Sequence, residues 1–191
     1  MKKLLKRGDY NRIEEELSNL IEDLGLTFFP MNCYEVASLL FIELRTYAEF
    51  LEEDRVFVVS KAEDGFTIRK NGKYIIYYNA DKGLERRHFT IWHEIAHIYL
   101  GHLESDISYE KMEEEANHFA TTALAPLPFV HKLGLRDPWS LSDVCGVSFT
   151  LACNVLEHYK NAFQYESVKN TILKSRISLL LSYQPREREV V

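Results

Sequence analysis

No stretch of this 191-residue chain approaches the roughly 20 consecutive apolar residues that a bilayer-spanning helix needs. The opening Met1-Lys-Lys-Leu-Leu-Lys-Arg run meets Gly8 and Asp9 before a signal-peptide core can form. A membrane protein or a secreted one is therefore not expected. Cysteine is scarce: Cys33, Cys145 and Cys153 are an odd number at wide spacings with no CxxC pair, which suits a reducing, cytoplasmic setting better than a disulfide framework. Excess positive charge is also lacking. The formal net charge is -6, so the long-range field repels polyanions, and nucleic acid is not the first partner expected. There is no internal repeat, low-complexity tract or Gly/Ser linker, and the prolines concentrate between Pro126 and Pro138 and in the tail. That proline cluster is the one internal boundary the sequence suggests. What is present is ordinary globular material, 46% hydrophobic and 27% charged, enough to bury one sizeable core.

Periodicity divides the chain into helices, a sheet, then helices, an α+β order. Tyr10, Ile13, Leu17, Leu20, Ile21 and Leu24 form a helical stripe that Gly25 ends. Asn32 can cap a second helix, apolar from Val36 through Leu44. The period then shortens. Val56-Phe-Val-Val, Phe66 to Lys70 and Lys73 to Tyr78 read as strands, the last two joined by an Asn71-Gly72 turn, and together they predict a small antiparallel sheet. Helical spacing returns from Glu85 to Tyr99 with Gly101 as the stop, and again from Tyr109 to Leu124 before Pro126. Beyond the prolines, Ser140 opens a short helix, Gly146-Val-Ser148 turns, Phe149 to Phe163 follows, and a last helix spans Glu166 to Tyr183.

The chemistry lies in His93-Glu94-Ile95-Ala96-His97, an HExxH motif inside the helix that follows the strands. Residues i and i+4 project from one helical face, so both imidazoles can reach one Zn²⁺, with Glu94 placed to take a proton from a water on the metal. The apolar neighbours Phe89, Ile91, Trp92, Ile95 and Ile98 would bury the helix and leave the histidine pair at a cleft wall. A third ligand is needed, and two candidates stand out. His102 lies beyond Gly101 and off the helix axis; Glu113, on the next helix, can face the metal, with Asn117 one turn on as a hydrogen-bond partner for a ligand histidine. Glu114 and Glu115 read as a solvated face. A donor for the developing oxyanion is also expected, and Tyr109, His118 and His131 are candidates that the sequence does not separate. The strand from Lys73 to Tyr78 is expected to offer an edge for an extended peptide.

Arg87-His-Phe-Thr-Ile-Trp-His-Glu-Ile-Ala-His-Ile-Tyr-Leu-Gly-His102, then Glu113-x-Glu-Ala-Asn-x-Phe-Ala120 and Ala125-Pro126, resembles the ImmA/IrrE family of zinc metallopeptidases. The resemblance implies a small gluzincin-like α+β protease fold with N-terminal helices, a small sheet, the HExxH helix and a C-terminal helical segment. It implies one zinc per chain held by His93, His97 and Glu113, with Glu94 as catalytic base. It also implies a metalloendopeptidase acting on helix-turn-helix repressors of mobile elements, prophages or stress regulons. The corresponding division is a metallopeptidase domain over 1–130 and a helical segment over 131–191 packed on it. Within that segment Asp143-Val-Cys-Gly-Val-Ser148 followed by Phe149-Thr-Leu-Ala is itself similar to a helix-turn-helix. The alternative is thus a DNA-binding or repressor-sequestering regulator with a zinc site. Yet Ser148 to Tyr159 contains no Lys or Arg to anchor phosphates, so direct DNA contact is not expected and a structural or docking role is preferred.

Overall fold

The computed structural model describes residues 5–185; part of the N-terminal basic run and the end of the C-terminal tail lie outside the described residues. The protein is α+β. In chain order its elements are α1 (Arg7–Asp23), β1 (Phe28–Phe29), α2 (Cys33–Leu39), β2 (Glu43–Thr46), α3 (Glu52–Lys61), β3 (Gly65–Lys70), β4 (Lys73–Tyr78), α4 (Leu84–Tyr99) and α5 (Tyr109–Leu124). There follow α6 (Leu127–Lys132), α7 (Pro138–Cys145), α8 (Phe149–Phe163), α9 (Glu166–Leu173), α10 (Arg176–Leu180) and β5 (Ser182–Tyr183). The chain divides into two compact units, one of residues 1–13 and 32–120, the other of 14–31 and 121–191.

In the first unit the sheet has the order β2-β4-β3, with β2 parallel and β3 antiparallel to β4. The expected antiparallel hairpin is there: Asn71 and Gly72 turn it with φ of 52° and 78°, the positive pair that a tight two-residue turn requires. The added parallel strand makes the sheet mixed. It comes from Glu43 to Thr46, because the helix predicted through Leu44 stops at Leu39. Asn32 caps α2 as expected, its Oδ1 accepting from the backbone N–H of Tyr34 at 2.9 Å and of Glu35 at 3.4 Å.

A second departure is Val56 to Val59, expected as a strand and found in α3. Glu52, Glu53 and Asp54 occupy its first turn and Lys61 its last, charges that suit the helix dipole at both ends. None of its residues is fully buried, and Val58 and Val59 are half-buried, so these end charges act beside only partial packing.

Helix α4 packs across β3 and β4 and buries Ile91, Trp92, Ile95 and Ala96, with Trp92 against Phe119 of α5. Leu100 closes α4 through its N–H to the Ala96 carbonyl at 2.9 Å. Gly101 then takes the left-handed conformation, φ 70°, and turns the chain into a short 3-10 turn at His102–Glu104.

The second unit is mainly helical. α7 and α8 meet around Gly146 at φ 64°, with Asp137 and Ser148 as their caps. The continuous last helix expected from Glu166 to Tyr183 is broken into α9, α10 and β5, and β5 pairs in parallel with β1. The break falls where the Lys174 and Ser175 N–H groups bond back to Asn170 and Ile172, ending α9 before Arg176 opens the next turn. Arg176 pairs with Glu15 and Glu22 and donates to Asn19 Oδ1 at 2.8 Å.

Candidate metal centre

Four turns of amphipathic helix place the HExxH residues. Because α4 buries Ile91, Trp92, Ile95 and Ala96 on one side, His93 and His97 fall one turn apart on the side that faces the cleft. α5 brings Glu113 to the same place. His93 Nε2 lies 3.4 Å from Glu113 Oε2 and His97 Nε2 lies 3.3 Å from Glu113 Oε1, with the two Nε2 atoms 3.0 Å apart. One ligand atom from each of the three residues lies within 4.8 Å of the others, and the group could hold a metal ion. Burial favours neutral imidazoles: His93 titrates below its ordinary value, and His97, with His93 and His102 beside it, is pushed down to about 3. Two neutral nitrogen donors and a carboxylate match the His₂Glu donor set of catalytic zinc sites.

Glu94 is buried, 8% exposed, beside this group. Its Oε2 accepts from Thr67 Oγ1 of β3 at 2.7 Å. Burial pushes its pKa up to about 7, the Thr67 bond opposes the rise and the Glu113 carboxylate adds to it. That value suits a group that takes and returns protons near neutrality.

The group opens into a cavity of about 450 Å³. β3 forms one wall through Gly65, Phe66 and Thr67. The edge expected on Lys73 to Tyr78 is not available, since β4 is the central strand and pairs on both sides; the edge strand beside the metal group is β3. At the rim Arg86 grips Asp64 with two bonds, 3.0 and 2.5 Å, and that hydrogen bonding holds the Asp64 carboxyl below its ordinary 3.8.

Of the three oxyanion candidates, Tyr109 alone lines the cavity. It hydrogen-bonds Glu113, whose charge raises the phenol's pKa. His118 stands edge-on to Tyr10, and His131 belongs to the second unit, where its Nδ1 lies 2.8 Å from Tyr159 Oη.

Asn117 meets the expectation of a partner for a ligand histidine, its Oδ1 lying 3.1 Å from His93 Nδ1. The solvated reading of Glu115 is overturned: it is 1% exposed and bonded to His102 and Arg12. Helical periodicity could have flagged it, because Glu115 precedes Ala116 and falls four residues before Phe119, within the buried stripe of α5.

A buried HExxH helix faced by a helix carrying a third carboxylate donor is a metallopeptidase-type arrangement. The family model for the IrrE N-terminal-like domain, Peptidase M78, matches residues 55–157, more than half of the chain, and the chain belongs to that family. No curated protein matches the chain. Among the described residues no single helix is long and apolar enough to cross a membrane.

Proposed function

We propose that this protein is a zinc-dependent metalloendopeptidase whose substrate is a helix-turn-helix transcriptional repressor. The convergence of His93 Nε2, His97 Nε2 and the Glu113 carboxylate, with Glu94 alongside, carries the enzymatic part of this reading. The substrate class rests on the family resemblance of Arg87–His102 and Glu113–Ala120. Zinc held there supplies a Lewis acid that acidifies water and polarises the scissile carbonyl.

The chain's own residues do the rest. His93, His97 and Glu113 hold the ion. Thr67 occupies Glu94 Oε2, which leaves Oε1 to accept the proton of the attacking water and to pass it on to the leaving amine. Tyr109 Oη, released from Glu113, is the donor in the cavity that can reach an oxyanion. An extended substrate segment adds to the free edge of β3, the strand that lines the cavity. The action is placed in a reducing cytoplasm on the sparse, unpatterned cysteines of the sequence.

The test is elemental analysis of untagged protein together with incubation of a cognate repressor and mass spectrometry of the products. Wild type is expected to carry about one zinc and to cut the repressor. His93→Ala and Glu113→Ala should lose the metal. Glu94→Gln should keep it while cleavage falls by about 10²- to 10⁴-fold. A Glu94→Gln protein that still cleaves, or that still relieves repression in full, would refute proteolysis as the mechanism and favour sequestration.

A further inference from the structure

His97 and His102 meet nitrogen to nitrogen. His97 Nδ1 lies 3.0 Å from His102 Nδ1, and His102 Nε2 lies 3.1 Å from Glu115 Oε2. The same Oε2 receives the Arg12 guanidinium at 2.5 Å, and Lys111 Nζ stands 3.7 Å from Oε1 while it pairs with Asp9 at 2.9 Å. The line therefore runs from α1 through α5 to the rear of His97. His102 and Glu115 are 4% and 1% exposed, so the bond between His102 Nε2 and Glu115 Oε2 is made with little recourse to water, while Glu115 Oε1 has only the longer approach of Lys111.

The direction of the bonds follows from counting donors. A neutral imidazole has one donor and one acceptor nitrogen. His97 presents Nε2 to the metal group, so a lone pair there places its proton on Nδ1. That proton donates to His102 Nδ1, which puts the His102 proton on Nε2, facing the Glu115 carboxylate. Every donor then meets an acceptor. The opposite sense would set a lone pair of His102 Nε2 against a carboxylate oxygen, acceptor against acceptor. Arg12 holds Glu115 anionic and makes the last bond charge-assisted.

We infer that His102, backed by Glu115 and Arg12, is a positioning residue that fixes the ring orientation and tautomer of His97, as Asn117 does for His93. Gly101 makes this possible, since its left-handed turn returns the chain beneath α4 within one residue of the helix end. The inference rests on the reading that His93, His97 and Glu113 hold zinc.

Two measurements on the full chain decide it, with zinc itself as the probe. The first is the zinc Kd by competition against a chromophoric chelator for wild type, His102→Leu and His102→Asn. Removal of such an outer partner is expected to weaken zinc binding by about 10- to 100-fold in His102→Leu. His102→Asn, whose side-chain oxygen can occupy the place of Nδ1 and accept from His97, is expected to recover most of that loss. A purely structural role would not be rescued in this way. The second is ¹⁵N NMR of histidine-labelled wild type loaded with zinc, in which His97 should be protonated at Nδ1 and His102 at Nε2. This second measurement decides the matter even if His102→Leu does not fold. A His102→Leu Kd within twofold of wild type, or His102 protonated at Nδ1, would overturn the inference while leaving the zinc site intact. Wild type that binds no zinc would overturn the underlying reading, and the relay with it.

Discussion

Replacing Gly65 by alanine tests the closest approach between the sheet and the HExxH helix. A Cβ at this position would stand 2.4 Å from Thr90 Cγ2 and 3.1 Å from the Tyr77 carbonyl oxygen. Thr90 cannot swing away cheaply, because it is buried and its Oγ1 donates to the Arg86 carbonyl at 2.9 Å. β3 must therefore shift away from α4. Overpacking of this kind costs about 1–3 kcal/mol, against which Gly→Ala gains about 0.4–1 kcal/mol from the reduced freedom of the unfolded chain. A net loss of about 1–2 kcal/mol remains, which for a chain of this size lowers Tm by roughly 2–8 °C. The assay is thermal unfolding of wild type, Gly65→Ala, Thr90→Ser and the double variant. Thr90→Ser deletes Cγ2 and keeps the hydroxyl, so it should restore stability in the Gly65→Ala background and give a coupling energy of about 1 kcal/mol or more. A Gly65→Ala protein that melts at or above wild type, or strict additivity in the double variant, would refute the steric account.

Three further expectations follow from the same geometry. Asn32→Ala removes the side-chain cap of α2 and should cost about 1 kcal/mol, read as a lower thermal or urea midpoint; no change would show that the cap is dispensable. In Arg86→Gln the Asp64 carboxyl should titrate closer to its ordinary 3.8, as followed by ¹³C NMR. Because the folded pKa is depressed, the stability from this pair is present above 3.8 and lost as pH falls below it, so the variant should lose stability at neutral pH and lose less on acidification; an unmoved Asp64 titration would contradict the pairing. Zinc added to metal-free protein at about 100 times its Kd should stabilise it by about 2.7 kcal/mol, with reversal by a chelator and no effect in His93→Ala; an unshifted melting curve in wild type would count against the metal centre.

The helices that carry the metal group were legible because α4 and α5 each bury a stripe at helical spacing, and their ends carry strong local signals, Gly101 for one and Pro126 for the other. The hairpin was legible for the same kind of reason, since Asn71-Gly72 admits few alternatives. Other elements have no such signature. Val56-Phe-Val-Val is β-branched and apolar, yet the acidic first turn from Glu52 to Asp54 outweighs strand propensity where no sheet partner is in place. Leu44 of β2 extends the apolar periodicity of α2 and hid the break; the helix closes at Leu40, Phe41 turns the chain at φ 56°, and β2 then pairs with β4. His93, Glu94, His97 and Glu113 could be nominated from spacing and resemblance; the structure brings His93, His97 and Glu113 together, with Glu94 lining the same cavity. Periodicity can mark Glu115 as buried and spacing can nominate His102, but their pairing is not legible, because it depends on a turn at Gly101 and on Arg12, about a hundred residues from Glu115 in sequence.

The absence of buried residues in α3 bears on how the cleft breathes. A segment whose apolar residues are at most half-buried hides little surface when closed, so its amide protons should exchange through local fluctuations long before those of α4. Lys61 of α3 and the adjoining Ala62 border the cavity, and Val56 and Phe57 already face water. One side of the entrance should thus exchange its amide protons faster than the wall bearing His93 and His97, so hydrogen exchange would show the two walls of one cavity on different timescales.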